Sequence, residues 1–228
     1  MCTPGGDASA PPVLRRVDLA GRPLGDTPLA STAAGAFTAP YGHVIVRFTA
    51  TYYAWDPFGG VLVRLDLATG KITGTARIPK STAGSDGPLG IVGSIGEQLG
   101  RWRAPDAAAK MYLQPSLVLS PDGTLLYLLG TTAASLTDSG AASTGVWVVD
   151  ARSLAVIHRW PPTADFISIA VSPDGAYVYA AGMPDNDAAG NQTGQDVSVT
   201  VYTAATGQVS VIAGRLGQGY LDLAPATP

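Results

Sequence analysis

The two histidines, His43 and His158, are the side chains best suited to hold a metal or pass a proton near neutral pH, and both lie inside β-type runs, YGHVIV and VIHRW. A metal centre needs three or four converging ligands. With one cysteine in the chain and no HxH or HxxE spacing, such a centre would have to be built from carboxylates. The histidines therefore read as strand residues, and no haem, copper or zinc cofactor is expected. Nucleophilic catalysis asks for a Ser or Cys beside a base that a third group orients. No GxSxG is present, and Ser120 and Ser172 recur only because a turn recurs. A residue repeated with its turn is a poor sign of a unique active site. The glycine ladder GPLGIVGSIGEQLG at 87–100 lacks the Gly-Lys-Ser/Thr that completes a phosphate cradle, and it reads as loop.

Four oxygen-bearing residues, Asp185, Asp187, Asn191 and Asp196, share one polar segment, but their spacing does not follow the EF-hand order of calcium ligands. They read as a solvated loop, and Asn191-Gln192-Thr193 as an incidental match to a glycosylation acceptor. No catalytic, cofactor-binding or metal-binding residue is assigned. The partner-binding candidate is Arg101-Trp102-Arg103, because Trp and Arg are enriched among the residues that dominate interface energetics. The competing reading has Trp102 fold back as the core of its own loop. Tyr52, Tyr53 and Trp55 form a second aromatic cluster, of which strand alternation should bury half. Cys2, followed by TPGGDASAPP, has the pattern of a bacterial lipoprotein after removal of its signal segment, with Cys2 acylated; a native Met-Cys start is the alternative.

The elements that must carry these residues are foreshadowed by composition. Apolar residues are 46% of the 228 and charged residues 14%, with 28 Gly and 18 Pro. The usual charged share is about 25%, so long amphipathic helices with wet, charged faces are disfavoured, whereas short strands joined by tight turns fit. A net charge of −3 without a basic cluster argues against nucleic acid as a partner. No run approaches the length of a membrane-spanning helix.

Self-comparison supplies the organisation. Residues 116–130, SLVLSPDGTLLYLLG, align with 168–182, SIAVSPDGAYVYAAG, placing Ser120 and Ser172 52 positions apart. Each is a strand, a Ser-Pro-Asp-Gly turn and a second strand. A second hairpin family comprises 61–78, 145–160 and 197–212, with a degenerate copy at 13–24; the residues opening their turns are Asp18, Asp66, Asp150 and Thr203. Two hairpins in fixed order make a four-stranded unit of about 40 to 50 residues, the blade of a β-propeller. The expected fold is all-β: whole blades at 36–79, 115–161 and 166–213, the first with inner strands from GAFTA and HVIVRFTATYYAW. At least twelve strands and almost no helix should result. Residues 13–29 supply two outer strands of a further blade, which 219–225 would complete by closing the ring in one chain or across a homodimer, truncation of a longer propeller being the other possibility. Residues 1–12 read as a linker, 13–225 as one domain and 226–228 as a tail. Segments at 80–111, 131–144 and 183–196 interrupt the repeat.

The succession IAVSPDGAYVYAAG and VSVTVYTAATGQVSVIAG resembles the bacterial YVTN-type β-propeller repeat, over 61–79 and 115–213 and little of the first 60 residues. The resemblance implies an extracytoplasmic protein, periplasmic or at the cell surface, and a binding scaffold or accessory subunit with a protein partner in the cell envelope. Some relatives of that kind are lactonases or oxidoreductase subunits, so a propeller enzyme with a site at the central channel is the alternative. No catalytic motif of the family transfers to this chain.

Overall fold

The computed structural model describes residues 13–18, 20–29, 32–37, 42–46, 49–80, 116–132, 142–182 and 198–212. Fourteen strands and no α-helix occur among them. Strands β1 (Val13–Val17) and β2 (Pro23–Pro28) form a two-stranded sheet. Three four-stranded antiparallel sheets follow. The first is β3 (Gly42–Val46), β4 (Thr51–Asp56), β5 (Val61–Asp66) and β6 (Lys71–Arg77). The second is β7 (Leu117–Leu119), β8 (Leu125–Thr131), β9 (Ser143–Asp150) and β10 (Val156–Trp160). The third is β11 (Phe166–Val171), β12 (Tyr177–Gly182), β13 (Val199–Thr203) and β14 (Val209–Ile212). The strands of each sheet pair in chain order, and the innermost strands β3, β7 and β11 lie beside one another. These are the blades of a β-propeller. The expected whole blades and the outer pair at 13–29 are present; residues 219–225 lie outside the described residues.

The blades adhere face to face through three apolar layers. Leu29, Phe37, Tyr52, Ala54, Val61 and Val63 join the two-stranded sheet to the first blade. Tyr53, Trp55, Leu62, Leu126, Leu128 and Trp147 join the first blade to the second. Tyr127, Val146, Val148, Ile169, Val178 and Tyr202 join the second to the third. A blade between two neighbours has no wet face, so its central strands are apolar on both sides. This corrects the expectation for the aromatic cluster: Tyr52, Tyr53 and Trp55 are all buried, Tyr52 toward β1–β2 and the other two toward the second blade. A second difference concerns GAFTA. The innermost strand of the first blade is formed by Gly42–Val46, while Phe37 lies before it as a buried plug, 1% exposed.

The turns account for the repeat. In the second blade Asp122 Oδ1 accepts from Ser120 Oγ at 2.6 Å and from Thr124 N at 3.1 Å, while Ser120 Oγ accepts from Leu125 N at 2.9 Å. The third blade repeats this with Ser172, Asp174, Ala176 N and Tyr177 N. Gly123 and Gly175 adopt φ of 75° and 72°, which a side chain disfavours. In every blade the third turn is bonded to the first: Leu67 N donates to Ala50 O at 2.7 Å, Ala151 N to Thr124 O at 2.9 Å, and Ala204 N to Ala176 O at 2.9 Å.

Candidate functional site

In a four-stranded meander the first and third turns lie on one face, and the second connection and the link to the next blade lie on the other. The first and third turns here are short throughout. The segments that break the repeat all attach to the opposite face: 80–111 between β6 and β7, 183–196 between β12 and β13, and 131–144 at the β8–β9 connection, its ends Thr131, Ser143 and Thr144 being strand residues rather than loop. Arg101, Trp102 and Arg103 belong to the first of these and lie outside the described residues, as do Cys2 and the polar group Asp185, Asp187, Asn191 and Asp196.

The strand ends that carry these segments are tightly braced. Trp55 Nε1 donates across the blade boundary to Leu129 O at 2.8 Å. Trp147 Nε1 donates to Thr144 Oγ1 at 3.1 Å, and Arg159 lies over the Trp147 ring at 5.4 Å while its Nε donates to Thr144 O at 2.8 Å. Burial holds the Arg159 guanidinium below its ordinary pKa. Gly130 admits this packing, because a β-carbon there would stand 2.1 Å from Thr144 Oγ1. Asp165, in the link between the second and third blades, accepts from Ser143 N at 2.8 Å and anchors the start of β9. The Tyr202 hydroxyl donates to Pro161 O at 2.7 Å, and burial pushes its pKa up. The crevice between Trp55, Ile78, Lys80 and Trp147 is too narrow to hold a water molecule. Together these contacts brace the rim.

Titratable groups elsewhere serve the turns. Hydrogen bonds from Ser120 and Thr124 hold the Asp122 carboxyl below its ordinary pKa, and Ser172 and Ala176 N do the same for Asp174. Asp150 is lowered by Ser153, and Asp66 by Ala68 N and Thr69. These four carboxylates are the turn caps that the sequence suggests. His43 is an exposed residue of β3 stacked on Tyr52 at 5.9 Å, and His158 is an exposed residue of β10. Among the described residues no three His, Cys, Asp or Glu side chains group as a metal site, and no helix is long and apolar enough to cross a membrane. Sequence reasoning passed over Arg64 and the Arg159–Trp147 pair. Arg64 was visible as a departure from the repeat, since it stands where the later blades carry Val148 and Val201.

A β-propeller assembled from four-stranded blades, with tight turns on one face and long connections on the other, is thus the class of protein that the fold defines. Among solved structures, the hydrazine synthase of Kuenenia stuttgartiensis matches 88% of this chain at 13% identity with a TM-score of 0.53, and the match spans 43% of that chain. A Bacteroides fragilis protein assigned as a 6-phosphogluconolactonase matches 82% at 16% identity with a TM-score of 0.41, over 39% of its own length. The chain therefore spans less than half of either structure, and the likeness to the first concerns the fold alone. No family model and no curated protein matches the sequence.

Proposed function

We propose that this chain is a non-catalytic propeller scaffold, an accessory subunit that docks a protein partner through its loop-bearing face. One topological observation carries the reading: all three segments that break the repeat attach to the same face, over a braced rim, while the other face carries only short turns. Variable loops on a rigid scaffold are where binding residues concentrate. The repeated residues serve their own hairpins first, and every aspartate among the described residues accepts a hydrogen bond there, in an ion pair or from a neighbouring loop. Within segment 80–111, Arg101-Trp102-Arg103 is the proposed anchor. A place outside the cytoplasm, in the cell envelope with Cys2 acylated, belongs to the same proposal.

The test compares Trp102→Ala with Lys71→Ala and Gln208→Ala, two exposed residues of the turn-bearing face. A partner would be isolated from envelope extract on the wild-type chain, identified, and titrated against each variant by surface plasmon resonance. Trp102→Ala should leave the melting temperature nearly unchanged and weaken binding by about 2 kcal/mol or more, the range of an interface anchor. The turn-face variants should bind as the wild type does. Normal binding by Trp102→Ala, with a loop newly sensitive to protease, would instead make Trp102 the private core of its segment.

A further inference from the structure

The turn-bearing face is not uniformly closed. Between the first and second blades it opens into a groove of about 660 Å³, within the range of small-molecule sites, ~300–1,000 Å³. At the next boundary the turns meet instead: the Pro121 ring lies 3.3 Å from where a β-carbon on Gly175 would stand. Two departures from the repeat accompany the groove. The first turn of the first blade is not Ser-Pro-Asp-Gly, and its positive φ falls on Ala50 at 48°. Arg64, replacing the valine of the later blades, lies across the floor. Its Nε donates to Thr73 Oγ1 at 3.1 Å and its Nη2 to Thr73 O at 3.2 Å, while Nη1 donates to Ala151 O at 3.3 Å and to Arg152 O. Tyr53 Oη, on the same floor, donates to Ala151 O at 3.0 Å.

Every acceptor of Arg64 among the described residues is neutral, and none of the ion pairs found there includes it. The walls add Asp66 from the first blade and Asp122 and Arg152 from the second. The ion pairs among the described residues, Arg15–Asp26 and Arg22–Asp18, involve none of these four groups. The two aspartates are fixed in place by their turns, with Asp66 accepting from Ala68 N at 2.8 Å. The Arg152 side chain is exposed at the rim. Val46, Leu119 and Pro121 add apolar surface to the lining of the groove. Asp66 also feels the charge of Arg16, and Arg152 interacts with Asp150 beside it, but the four lining groups form no ion pair with one another. A groove lined by both signs and by apolar side chains complements a ligand that carries both signs on a short apolar body.

We propose that this groove binds a small zwitterionic ligand of the amino-acid or short-peptide class. The ammonium group is held by Asp66 and Asp122, the carboxylate by Arg152 over the Arg64 floor, and the hydrocarbon part lies on Val46, Leu119 and Pro121. The site is on the face opposite the proposed docking loops, so it stands independently of them.

The probe is trialanine with free termini, titrated into the full chain by isothermal calorimetry up to millimolar concentration, beside its N-acetylated and C-amidated forms. Saturable binding of the free peptide is expected, with each blocked form weaker by roughly tenfold, the scale of a lost hydrogen bond to a charged group. Arg152→Glu should weaken the free peptide by at least as much with an unchanged melting temperature, since that side chain is exposed. Arg64→Val, which grafts the residue of the later blades, should lower affinity through loss of the floor charge, and circular dichroism will show whether it folds. Absence of saturable binding overturns the proposal, as does equal binding of the blocked and free peptides. Wild-type affinity in Arg152→Glu would overturn it as well.

Discussion

Leu154 shows how one residue can break a repeat to its advantage. At the matching position of the third turn the other blades have Gly70 and Gly207, with φ of 69° and 68°, whereas Leu154 sits at 60°. A side chain in this left-handed region costs roughly 1–2 kcal/mol. The compensation is burial: Leu154 is 4% exposed in the layer between the first two blades, and its Cδ1 lies 3.0 Å from where a β-carbon on Gly74 would stand. Truncating a buried leucine costs about 2–5 kcal/mol, so packing wins over strain. Urea unfolding should show Leu154→Gly destabilised, because relief of the backbone returns only part of that loss. Leu154→Ala should be less stable still, since it keeps the strain and gives up most of the contact. An alanine variant more stable than the glycine variant would contradict this account. Neither Leu154 nor Arg64 announced its role in the sequence, because each depends on the neighbouring blade that it touches.

The hairpin is the element that repeats, and its turn chemistry sets how the blades respond to acid. The carboxyls of Asp66, Asp122, Asp150 and Asp174 are held below the ordinary value of 3.8 by hydrogen bonds to the charged form. Between the unfolded and folded values the folded chain is ionised while the unfolded chain binds protons. Their contribution is therefore present above 3.8 and is lost as the pH falls through the depressed values. Melting temperatures should not vary with pH through these groups near neutrality and should drop in acid. The double variant Asp122→Asn/Asp174→Asn should melt lower at neutral pH and show a shallower acid loss. An unaltered acid slope would mean that the turns do not set it. At this scale the sequence is most legible: Ser-Pro-Asp-Gly and the Asp-led third turns describe local bonding that needs no distant partner. The first blade is where it misled, since GAFTA has strand-like residues but Phe37 is drawn into the layer beneath β1–β2 and the strand is supplied by Gly42–Val46.

Across the whole molecule each sheet rests on its chain neighbours, through the three layers already described. Stability in such an array is a sum of unit and boundary contributions, so elements with one covered face open first. On the outward side of β1–β2, Val13, Val17 and Leu24 are exposed by 43%, 44% and 61%. Strand β14 is exposed along its length and carries no charge, in contrast to β6, with Lys71 and Arg77. Native-state hydrogen exchange should find the slowest amides in β5, β8 and β9, whose central residues are buried on both sides. The fastest should fall in β1, β2 and β14. Uniform protection across all fourteen strands would instead indicate one cooperative unit.

What the sequence determined by itself is local and periodic: strand–turn–strand pairs, their order, the turn caps, and hence the propeller class. Turn residues act through bonds to positions two to five residues away, so the information is contained in a short window. Tertiary structure decided the properties that arise between blades. Burial of the whole Tyr52-Tyr53-Trp55 run, the left-handed Leu154, the Arg64 strut and the groove above it all come from surfaces contributed by residues as far apart as Arg64 and Arg152. The physical reason is that burial and unpaired charge are properties of two faces brought together, whereas a turn is complete within its own chain segment.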